Sequence, residues 1–507
     1  MASRVRERPL ETLREPVLLA LVLLGAYLVT RIAFAARFPY FLDEGTYAVF
    51  SWEGSRSLGG LYSSYSIGRE PLMFWLGIPW VKLGFNPLDA VRIVSICCGI
   101  VTTVFTALTA RELGGRIAGW AAAGLCVVMP FLVVHDGIGI IEPLVTAVVA
   151  AALFLQIRMA RRPGLGVATA LGAVLAAGML TKENTRITLL LLPVSLICFD
   201  WARAGREDRL KRWLGGVGVC ALFLVAAQLV LRASSRYGEY QDARESPLLY
   251  TVRPLRDVLS DPFEFGATWA AYHPAFTGYI TIPLLLAALA GAILAIARRS
   301  APGVLVLVWV LVPFSISMLF STAPFPRHVM YLIPPVVVLI AYALREAWAA
   351  LSERLPGPRG VALAAVLLLL LLAPALRFDL RVLANPDTAR YPGLDDVQYV
   401  TGTGGGTVWP PIAREMERRA RGPEVVVISP RAYTQVLEML LGPNPRYRFV
   451  PGHSPLARRA QFVVDDEIPF LDGDAAAIMR ELHFESVAEF ARPRGGKVAR
   501  LMVRPAG

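Results

Sequence analysis

Two adjacent acidic residues, Asp43 and Glu44, lie a few residues beyond the first long apolar segment of this chain. They belong to a stretch, residues 37–70, that is too polar to be buried in lipid. Carboxylates just outside a membrane span can accept a proton from an attacking hydroxyl group or hold a divalent cation. The sequence therefore predicts that this pair is the centre of the protein's chemistry.

The remainder of the chain is dominated by apolar residues. Of its 507 residues, 55% are hydrophobic, and the mean hydropathy is +0.52, which indicates a polytopic membrane protein. The net charge of +12 comes from short basic clusters between apolar segments rather than from one basic face, which argues against a nucleic-acid partner. All five cysteines fall within apolar segments, so neither a disulfide framework nor a thiolate zinc site is indicated.

About eleven apolar segments are long enough to cross a hydrocarbon core of roughly 30 Å. We expect the spans at residues 17–36, 90–110, 115–134, 138–157, 165–181, 186–200, 213–232, 277–297, 302–320, 328–345 and 361–377. The segments near 165 and 186 are short and also fit one broken pair. The basic leader before the first segment is typical of a cleaved signal peptide as well, but a retained signal anchor suits the spans that follow.

The distribution of basic residues gives the predicted orientation. With the N-terminus in the cytoplasm, the basic clusters all fall on the cytoplasmic side. Two long loops, residues 37–89 and 232–274, then lie outside, and the apolar segment 71–83 is predicted as a helix in the interface. Residues 1–377 form the membrane domain. An odd number of spans leaves residues 378–507 outside the cytoplasm, where strand-like and helical patterns predict a small α/β domain.

Charged residues of the first external loop form a second candidate motif. Arg69 and Glu70 stand in the sequence Gly68-Arg69-Glu70-Pro71-Leu72. A guanidinium group binds phosphate in a bidentate manner, and Glu70 is placed to join Asp43 at a cation. The competing interpretation is that both side chains snorkel at the interface without a further role.

Three more motifs fall on the predicted outer face. His135-Asp136 precedes Glu142-Pro143 at the head of a span, which also fits a helix cap with an interfacial histidine. Lys182 lies between two membrane segments, where a lysine is costly unless it is paired, and Glu183 is the neighbouring candidate partner. Arg327 and His328 lie at the outer end of a late span.

Together with Phe41-Leu42-Asp43-Glu44-Gly45, these motifs resemble the GT-C superfamily of polyprenyl-phosphate-sugar-dependent glycosyltransferases. The resemblance covers roughly residues 17–345 and is strongest to the branch of protein O-mannosyltransferases and aminoarabinose lipid A transferases. The chain departs from the family pattern at several motif positions. Arg69 stands for the usual lysine and Glu70 for a proline, Glu142 replaces the more usual aspartate, and His328 replaces an aromatic residue.

The resemblance implies roles for the candidate residues. Asp43 accepts the proton of the acceptor hydroxyl, and Glu44 orients it or shares a metal. The donor phosphate is bound by Lys182, Arg327 and Arg69. Asp136 or Glu142 supplies the second acidic group. The residues that line the site are Asp136, Glu142, His135, Glu70 and His328. Asp43 and Glu70 are the candidate ligands of a divalent metal. The family includes members that require a metal for activity and members that do not.

The implied function is the inverting transfer of a sugar from a polyprenyl-phosphate donor to a hydroxyl acceptor. The acceptor is a lipid, glycan or protein, and the reaction lies at the outer face of the cytoplasmic membrane. A secondary transporter or flippase of a lipid-linked or anionic substrate is the alternative. It predicts internal repeats and acidic residues at mid-membrane, and the sequence shows neither. A scaffold protein would leave the clustered charges unexplained.

Overall fold

The computed structural model describes residues 8–245, 252–429, 435–442, 446–466 and 473–505. The membrane part is a helical bundle. Its α-helices are α1 Arg8–Arg37, α2 Leu42–Arg56, α3 Leu72–Lys82, α4 Pro87–Val128, α5 Pro130–His135, α6 Glu142–Arg161, α7 Leu165–Met179, α8 Ile187–Leu190, α9 Arg206–Arg232, α10 Tyr237–Glu245, α11 Leu255–Ser260, α12 Gly266–Ala275, α13 Ile282–Ala297, α14 Ala301–Phe320, α15 Ile333–Arg354 and α16 Pro358–Ala384.

Tighter and wider helical turns connect these helices. The 3₁₀ segments are Gly59–Ile67, Glu183–Arg186, Pro193–Cys198 and Pro326–Leu332, and a π-helical turn occupies Phe276–Ile280. Several of these turns fall at the predicted outer ends of spans. They place polar motifs between helices rather than inside them, which is where a site facing both water and lipid has to be built.

The longest helix, α4, contains a sharp reversal at Gly115. Its φ of 72° and ψ of −163° lie outside the helical region, in a conformation that glycine adopts readily. The two halves of α4 pack against each other, since a Cβ at Gly119 would lie 3.2 Å from the carbonyl oxygen of Ala107. The half of α4 before this reversal matches the segment predicted at 90–110, and the half after it, together with α5, matches the segment predicted at 115–134.

With α4 counted once, seven helices of the described part of the chain are long and apolar enough to cross a membrane. The number is eight if the bent pair Gly266–Ile280 and Ile282–Ala297, which turns by 94°, is one span. The predicted segment at 165–181 forms the shorter helix α7, and the one at 186–200 forms short helical turns. The helix predicted in the interface is α3, which has 11 residues and is too short to cross. The count of eleven stays a prediction.

The tail is a small α/β unit, as predicted. Its helices are α17 Leu394–Asp396, α18 Trp409–Arg419, α19 Gln435–Leu440 and α20 Gly473–Glu481; its strands are β1 Val425–Ile428, β2 Tyr447–Val450, β3 Ala460–Asp465, β4 Glu485–Ala491 and β5 Val498–Val503. The strand order is β2-β1-β3-β5-β4. The pairs β1–β2 and β1–β3 are parallel, whereas β5 is antiparallel to both β3 and β4. The remaining turns are Val397–Thr401, Gly406–Val408, Pro455–Arg459 and Pro493–Gly495.

The tail packs directly on the helix that carries the acidic pair. The hydroxyl of Thr46 donates to the side-chain carbonyl of Gln435 in α19. A side chain at Gly45 would collide with the backbone of Val436, and one at Gly406 would collide with the carbonyl of Tyr40. Glycine at these two positions therefore permits the close approach of the tail to α2. The last bundle helix, α16, continues to Ala384, beyond the boundary expected at residue 377.

Candidate active site

Asp43 forms an ion pair with Arg327. Asp43 lies in the first turn of α2, and Arg327 lies in the 3₁₀ turn Pro326–Leu332, which leads into α15. The terminal nitrogen of Arg327 is 2.8 Å from a carboxylate oxygen of Asp43. The Arg327 residue is only 8% exposed, whereas the Asp43 side chain is 29% exposed. The carboxylate of Asp43 is therefore partly accessible, whereas the arginine paired with it is buried.

The guanidinium of Arg327 makes only part of the hydrogen bonds that it could donate. Its Nε and one terminal nitrogen are buried and have no hydrogen-bond partner among the described residues. A buried unpaired N–H group costs free energy unless a ligand or water supplies an acceptor. Phosphate oxygens are strong acceptors with a geometry that suits the guanidinium fork. Arg327 is thus preorganised to bind an anion.

A second ion pair joins Glu142 and Lys182. The Lys182 ammonium lies 2.8 Å from one carboxylate oxygen of Glu142, at the start of α6. The other carboxylate oxygen is buried without a hydrogen-bond partner in the described structure. Burial lowers the pKa of the Lys182 ammonium, and Glu142 opposes that effect. The expected alternative partner, Glu183, is instead bound by Arg186 and Arg244.

The segment that carries Arg69 is linked through the backbone to the turn that carries Lys182. The backbone N–H of Leu72 donates to the carbonyl of Leu180 at 2.9 Å, which ties the Arg69 motif to the Lys182 turn. The Arg69 side chain is half-buried and forms no hydrogen bond or ion pair with the described residues. Its charge acts on Lys182, as does that of Arg327. Three cations therefore face one region.

Tyr47 lies buried among these charges. Burial raises the pKa of its hydroxyl, Asp43 and Glu142 raise it further, and Arg69 and Arg327 lower it. The charges of these four groups, which come from four separate segments, therefore all act on one phenol. Asp43 and Glu142 supply two negative charges against the three positive charges of Arg69, Lys182 and Arg327. This cluster of charges, which we call the pocket, therefore carries a net charge of +1 before any ligand binds. Such a pocket favours an anionic ligand.

Glu44 does not share this pocket, contrary to expectation. Its carboxylate is fully buried and accepts hydrogen bonds from the Arg92 guanidinium at 2.6 and 2.8 Å. It also accepts from the backbone N–H of Gly139 at 2.7 Å and of Phe41 at 2.6 Å. The last contact caps the start of α2. Glu44 is therefore a positioning residue that fixes the turn carrying Asp43, and it is not free to orient an acceptor or bind a metal.

His135 and Asp136 are also held in structural contacts. Asp136 is fully buried and accepts a hydrogen bond from the Tyr27 hydroxyl at 3.0 Å, with Arg31 at 3.7 Å. His135 uses one ring nitrogen on the carbonyl of Phe131 and the other, at 3.1 Å, on Asp395 of the tail. Of the two candidates for the second acidic group, only Glu142 contacts the cations of the pocket.

Glu70 and His328 each contact a residue outside the two ion pairs. Glu70 is buried and accepts a hydrogen bond from the Tyr240 hydroxyl at 3.0 Å, which joins the first external loop to α10. The half-buried His328 bonds the carbonyl of Ala323 at 3.0 Å and contributes to the electrostatic environment of Glu142. It lines a cavity of about 440 Å³ together with Asn184.

The carboxylates do not form a metal-ligand set. Asp43, Glu70 and Glu142 are each held by a different partner, namely Arg327, Tyr240 and Lys182. Within the described ranges, no group of three or more His, Cys, Asp or Glu side chains is arranged to bind a metal ion. A divalent ion at Asp43 and Glu70 would have to displace an existing partner of each. We therefore assign no step of the chemistry to a metal.

The tail contributes a residue that sequence analysis missed. Tyr399 is 1% exposed, and its hydroxyl has no hydrogen-bond partner in the described structure. Burial raises the pKa of this hydroxyl, with further effects from Asp395, Arg327, Glu142 and Asp43. Its ring packs edge-on against Phe41, with centroids 4.9 Å apart. The only signal in the sequence is the pair Gln398-Tyr399 ahead of a glycine-rich stretch.

Comparisons with known proteins find similar proteins at the level of a family model and of the fold. Residues 69–230, which include Arg69, Glu142 and Lys182, match the family model of dolichyl-phosphate-mannose-protein mannosyltransferase. A search of curated proteins finds no match. Among solved structures, apo ArnT from Cupriavidus metallidurans superimposes with a TM-score of 0.64 at 16% identity, over 97% of this chain and 98% of that chain.

Two ligand-bound structures are also similar. ArnT from Cupriavidus metallidurans bound to undecaprenyl phosphate gives a TM-score of 0.58 at 18% identity, over 96% of this chain and 97% of that chain. The oligosaccharyltransferase AglB from Archaeoglobus fulgidus, in complex with an inhibitory peptide and a dolichol-phosphate, gives 0.52 at 13% identity, over 88% of this chain and 69% of that chain. The fold shared with these structures and the family match over residues 69–230 confirm the predicted resemblance to the GT-C superfamily of glycosyltransferases.

Proposed function

We propose that the protein transfers a sugar from a polyprenyl-phosphate donor to a hydroxyl acceptor, with inversion at the anomeric carbon. The observation that carries the proposal is the buried Arg327 guanidinium, which has unpartnered N–H groups beside the accessible carboxylate of Asp43. An anion site next to a carboxylate suits a reaction in which a phosphate departs while a hydroxyl attacks. Similar structures were solved with undecaprenyl phosphate and dolichol-phosphate.

In the proposed reaction, the bond between the anomeric carbon and the phosphate oxygen breaks, and the phosphate keeps the electron pair. Arg327, Lys182 and Arg69 stabilise the charge on the departing phosphate. The acceptor oxygen attacks from the opposite face, and its proton passes to Asp43. Because the pocket is partly dehydrated, these charge contacts stabilise the transition state far more than they would in water.

Glu142 holds Lys182 in place for this step. With one oxygen on the ammonium and the other unpartnered, it also offers an acceptor for a sugar or acceptor hydroxyl. Such a hydroxyl would satisfy a buried oxygen that otherwise lacks a hydrogen bond. We therefore assign the second acidic role to Glu142, and we assign His328 to the wall of the pocket.

We further propose that the site faces the outside of the cytoplasmic membrane. The donor's isoprenoid chain has to stay in lipid while its head group reaches water, which places the reaction at a membrane surface. The positive-inside pattern assigns that surface to the extracytoplasmic side. The chain up to the end of α16 at Ala384 then forms the transferase bundle, and the residues after it form an extracytoplasmic domain that supplies Tyr399.

The proposal is tested with membranes that contain the wild-type protein and a radiolabelled polyprenyl-phosphate sugar. We expect label to appear in a new glycosylated product and unlabelled polyprenyl phosphate to be released in equal amount. Matched membranes without the protein are the control. Label that enters sealed vesicles without any glycosylated product would contradict transfer and favour the transporter interpretation.

Tyr399 gives a separate prediction. Tyr399→Phe removes a buried hydroxyl that we assign to a phosphate or sugar oxygen, so transfer is expected to fall roughly tenfold. The matched control is Tyr391→Phe, because that hydroxyl donates to the carbonyl of Pro386 within the tail. The control is expected to affect thermal unfolding rather than transfer. Equal kcat/KM for Tyr399→Phe and wild type would remove Tyr399 from the site.

A further inference from the structure

A groove of about 610 Å³ runs between α1 and α4, away from the candidate active site. Its walls are almost entirely apolar. The α1 side is formed by residues such as Ala20 and Leu24, and the α4 side by residues such as Val104 and Leu108. Both helices are long and apolar enough to cross a membrane. The groove therefore opens toward lipid.

The length of the groove matches one leaflet of a bilayer. Along α4 it extends from Ile100 to Arg111, and along α1 from Pro16 to Tyr27. Each stretch rises by about 16 Å at 1.5 Å per residue. This is about half of a hydrocarbon core of roughly 30 Å. At its deep end lies Tyr27, whose hydroxyl is bonded to Asp136.

The open end of the groove lies opposite the active site. Asp89, in the first turn of α4, accepts a hydrogen bond from Tyr40, which lies just before the turn carrying Asp43. Arg111 follows 22 residues later in the same helix, about 33 Å along its axis. The groove thus belongs to the other leaflet.

Two arginines line this open end. Arg111 and Arg116 are both exposed, and neither forms a hydrogen bond or ion pair with the described residues. The nearby acidic residues do not neutralise the charges of these two arginines. Glu112 is bound by Arg158 and Arg161.

A second acidic residue at this end also already forms ion pairs with other arginines. Glu346 of α15 is bound by Arg298 and Arg345, and the Cγ of Arg345 lies 3.6 Å from where a Cβ at Gly114 would be. The mouth of the groove therefore carries two positive charges next to an apolar channel of one-leaflet length.

We propose that this groove binds one anionic phospholipid of the leaflet opposite the active site. Arg111 and Arg116 bind the phosphate of the head group, and one acyl chain lies along α1 and α4 as far as Tyr27. A guanidinium pair at a membrane surface favours an anionic head group over a zwitterionic one. The channel is too short for an isoprenoid chain that spans more than one leaflet, which separates this ligand from the sugar donor.

The test counts lipids retained by the purified full-length protein in native mass spectrometry, with phosphatidylglycerol and phosphatidylcholine of identical acyl chains. Arg111→Gln with Arg116→Gln is expected to weaken phosphatidylglycerol binding roughly thirtyfold, since each arginine contributes about 1 kcal/mol near a membrane surface. The control pair, Arg162→Gln with Arg212→Gln, removes two exposed charges that do not line the groove. It is expected to change binding less than about threefold.

A second variant tests the apolar channel independently of charge. Ala20→Trp fills the groove from α1 and is expected to release the lipid while both arginines stay in place. Equal retention of the two phospholipids by wild type would overturn the proposal. So would preference for undecaprenyl phosphate over phosphatidylglycerol, or unchanged retention in Ala20→Trp. None of these measurements depends on sugar transfer.

Discussion

Asp43→Asn is expected to lower kcat for sugar transfer about a thousandfold, because an amide cannot accept the proton of the attacking hydroxyl. The asparagine oxygen still accepts a hydrogen bond from Arg327, so the turn at the start of α2 should keep its shape. Removing the carboxylate also leaves Arg327 without its counter-ion. We therefore expect the KM for the donor to stay the same or to fall.

The measurement is single-turnover transfer of labelled donor, together with thermal unfolding of the same sample. Glu44→Gln is the informative comparison, since Glu44 is the adjacent acid but is paired with buried Arg92. Breaking a buried ion pair costs about 3–5 kcal/mol of stability. We expect this variant to unfold at lower temperature and to lose transfer in proportion to the folded fraction. The opposite pattern, with Glu44→Gln stable and inactive and Asp43→Asn active, would assign the base to Glu44.

The different contacts of Asp43 and Glu44 show which part of the site was predictable from the sequence. The position of the pair, outside the first span, and its resemblance to a family motif were sufficient to predict a carboxylate at the site. Consecutive residues on a helix point about 100° apart, as follows from 3.6 residues per turn. The two acids therefore cannot serve one pocket once α2 begins at Leu42. The position of the start of α2 was not evident from composition.

Partners that lie far apart in sequence were the least predictable feature. The resemblance assigned Lys182 and Arg327 to one phosphate site, and their shared effect on Glu142 is consistent with that. Nothing in the local sequence paired Asp136 with Tyr27, because both lie next to apolar helices with many candidate neighbours. Tyr399 reaches the pocket only because the tail folds back onto α2, a long-range contact that hydrophobic periodicity does not encode.

The positions of most bundle helices were predictable from the sequence, but the breaks and turns within them were less so. Apolar length identified the helices, but the reversal at Gly115 and the short turns between Glu183 and Cys198 depend on backbone geometry that hydropathy does not report. These irregular parts matter for the chemistry. The Lys182 turn and the Arg327 turn are both non-α-helical segments, and such segments at membrane depth have to be buried in protein or face a water-filled cavity.

Arg327→Lys is expected to lower kcat/KM for the donor roughly 30- to 150-fold while leaving the KM for the acceptor unchanged. The substitution keeps the positive charge but loses the planar fork that lets one side chain contact Asp43 and a phosphate together. Losing one charge-assisted hydrogen bond to the phosphate costs about 2–3 kcal/mol, which converts to that range of rates. Initial rates at varied donor and acceptor concentrations separate the two constants.

Arg236→Gln is the matched control, because Arg236 forms an exposed pair with Glu239 in the same external region. Exposed pairs contribute little, so this variant should transfer sugar at the wild-type rate. Inhibition by undecaprenyl phosphate gives an independent measure of the anion site. If Arg327 binds the phosphate, the inhibition constant should rise in Arg327→Lys in parallel with the donor KM. An unchanged inhibition constant would mean that Arg327 only positions Asp43, and the phosphate would then have to be bound by Lys182 and Arg69.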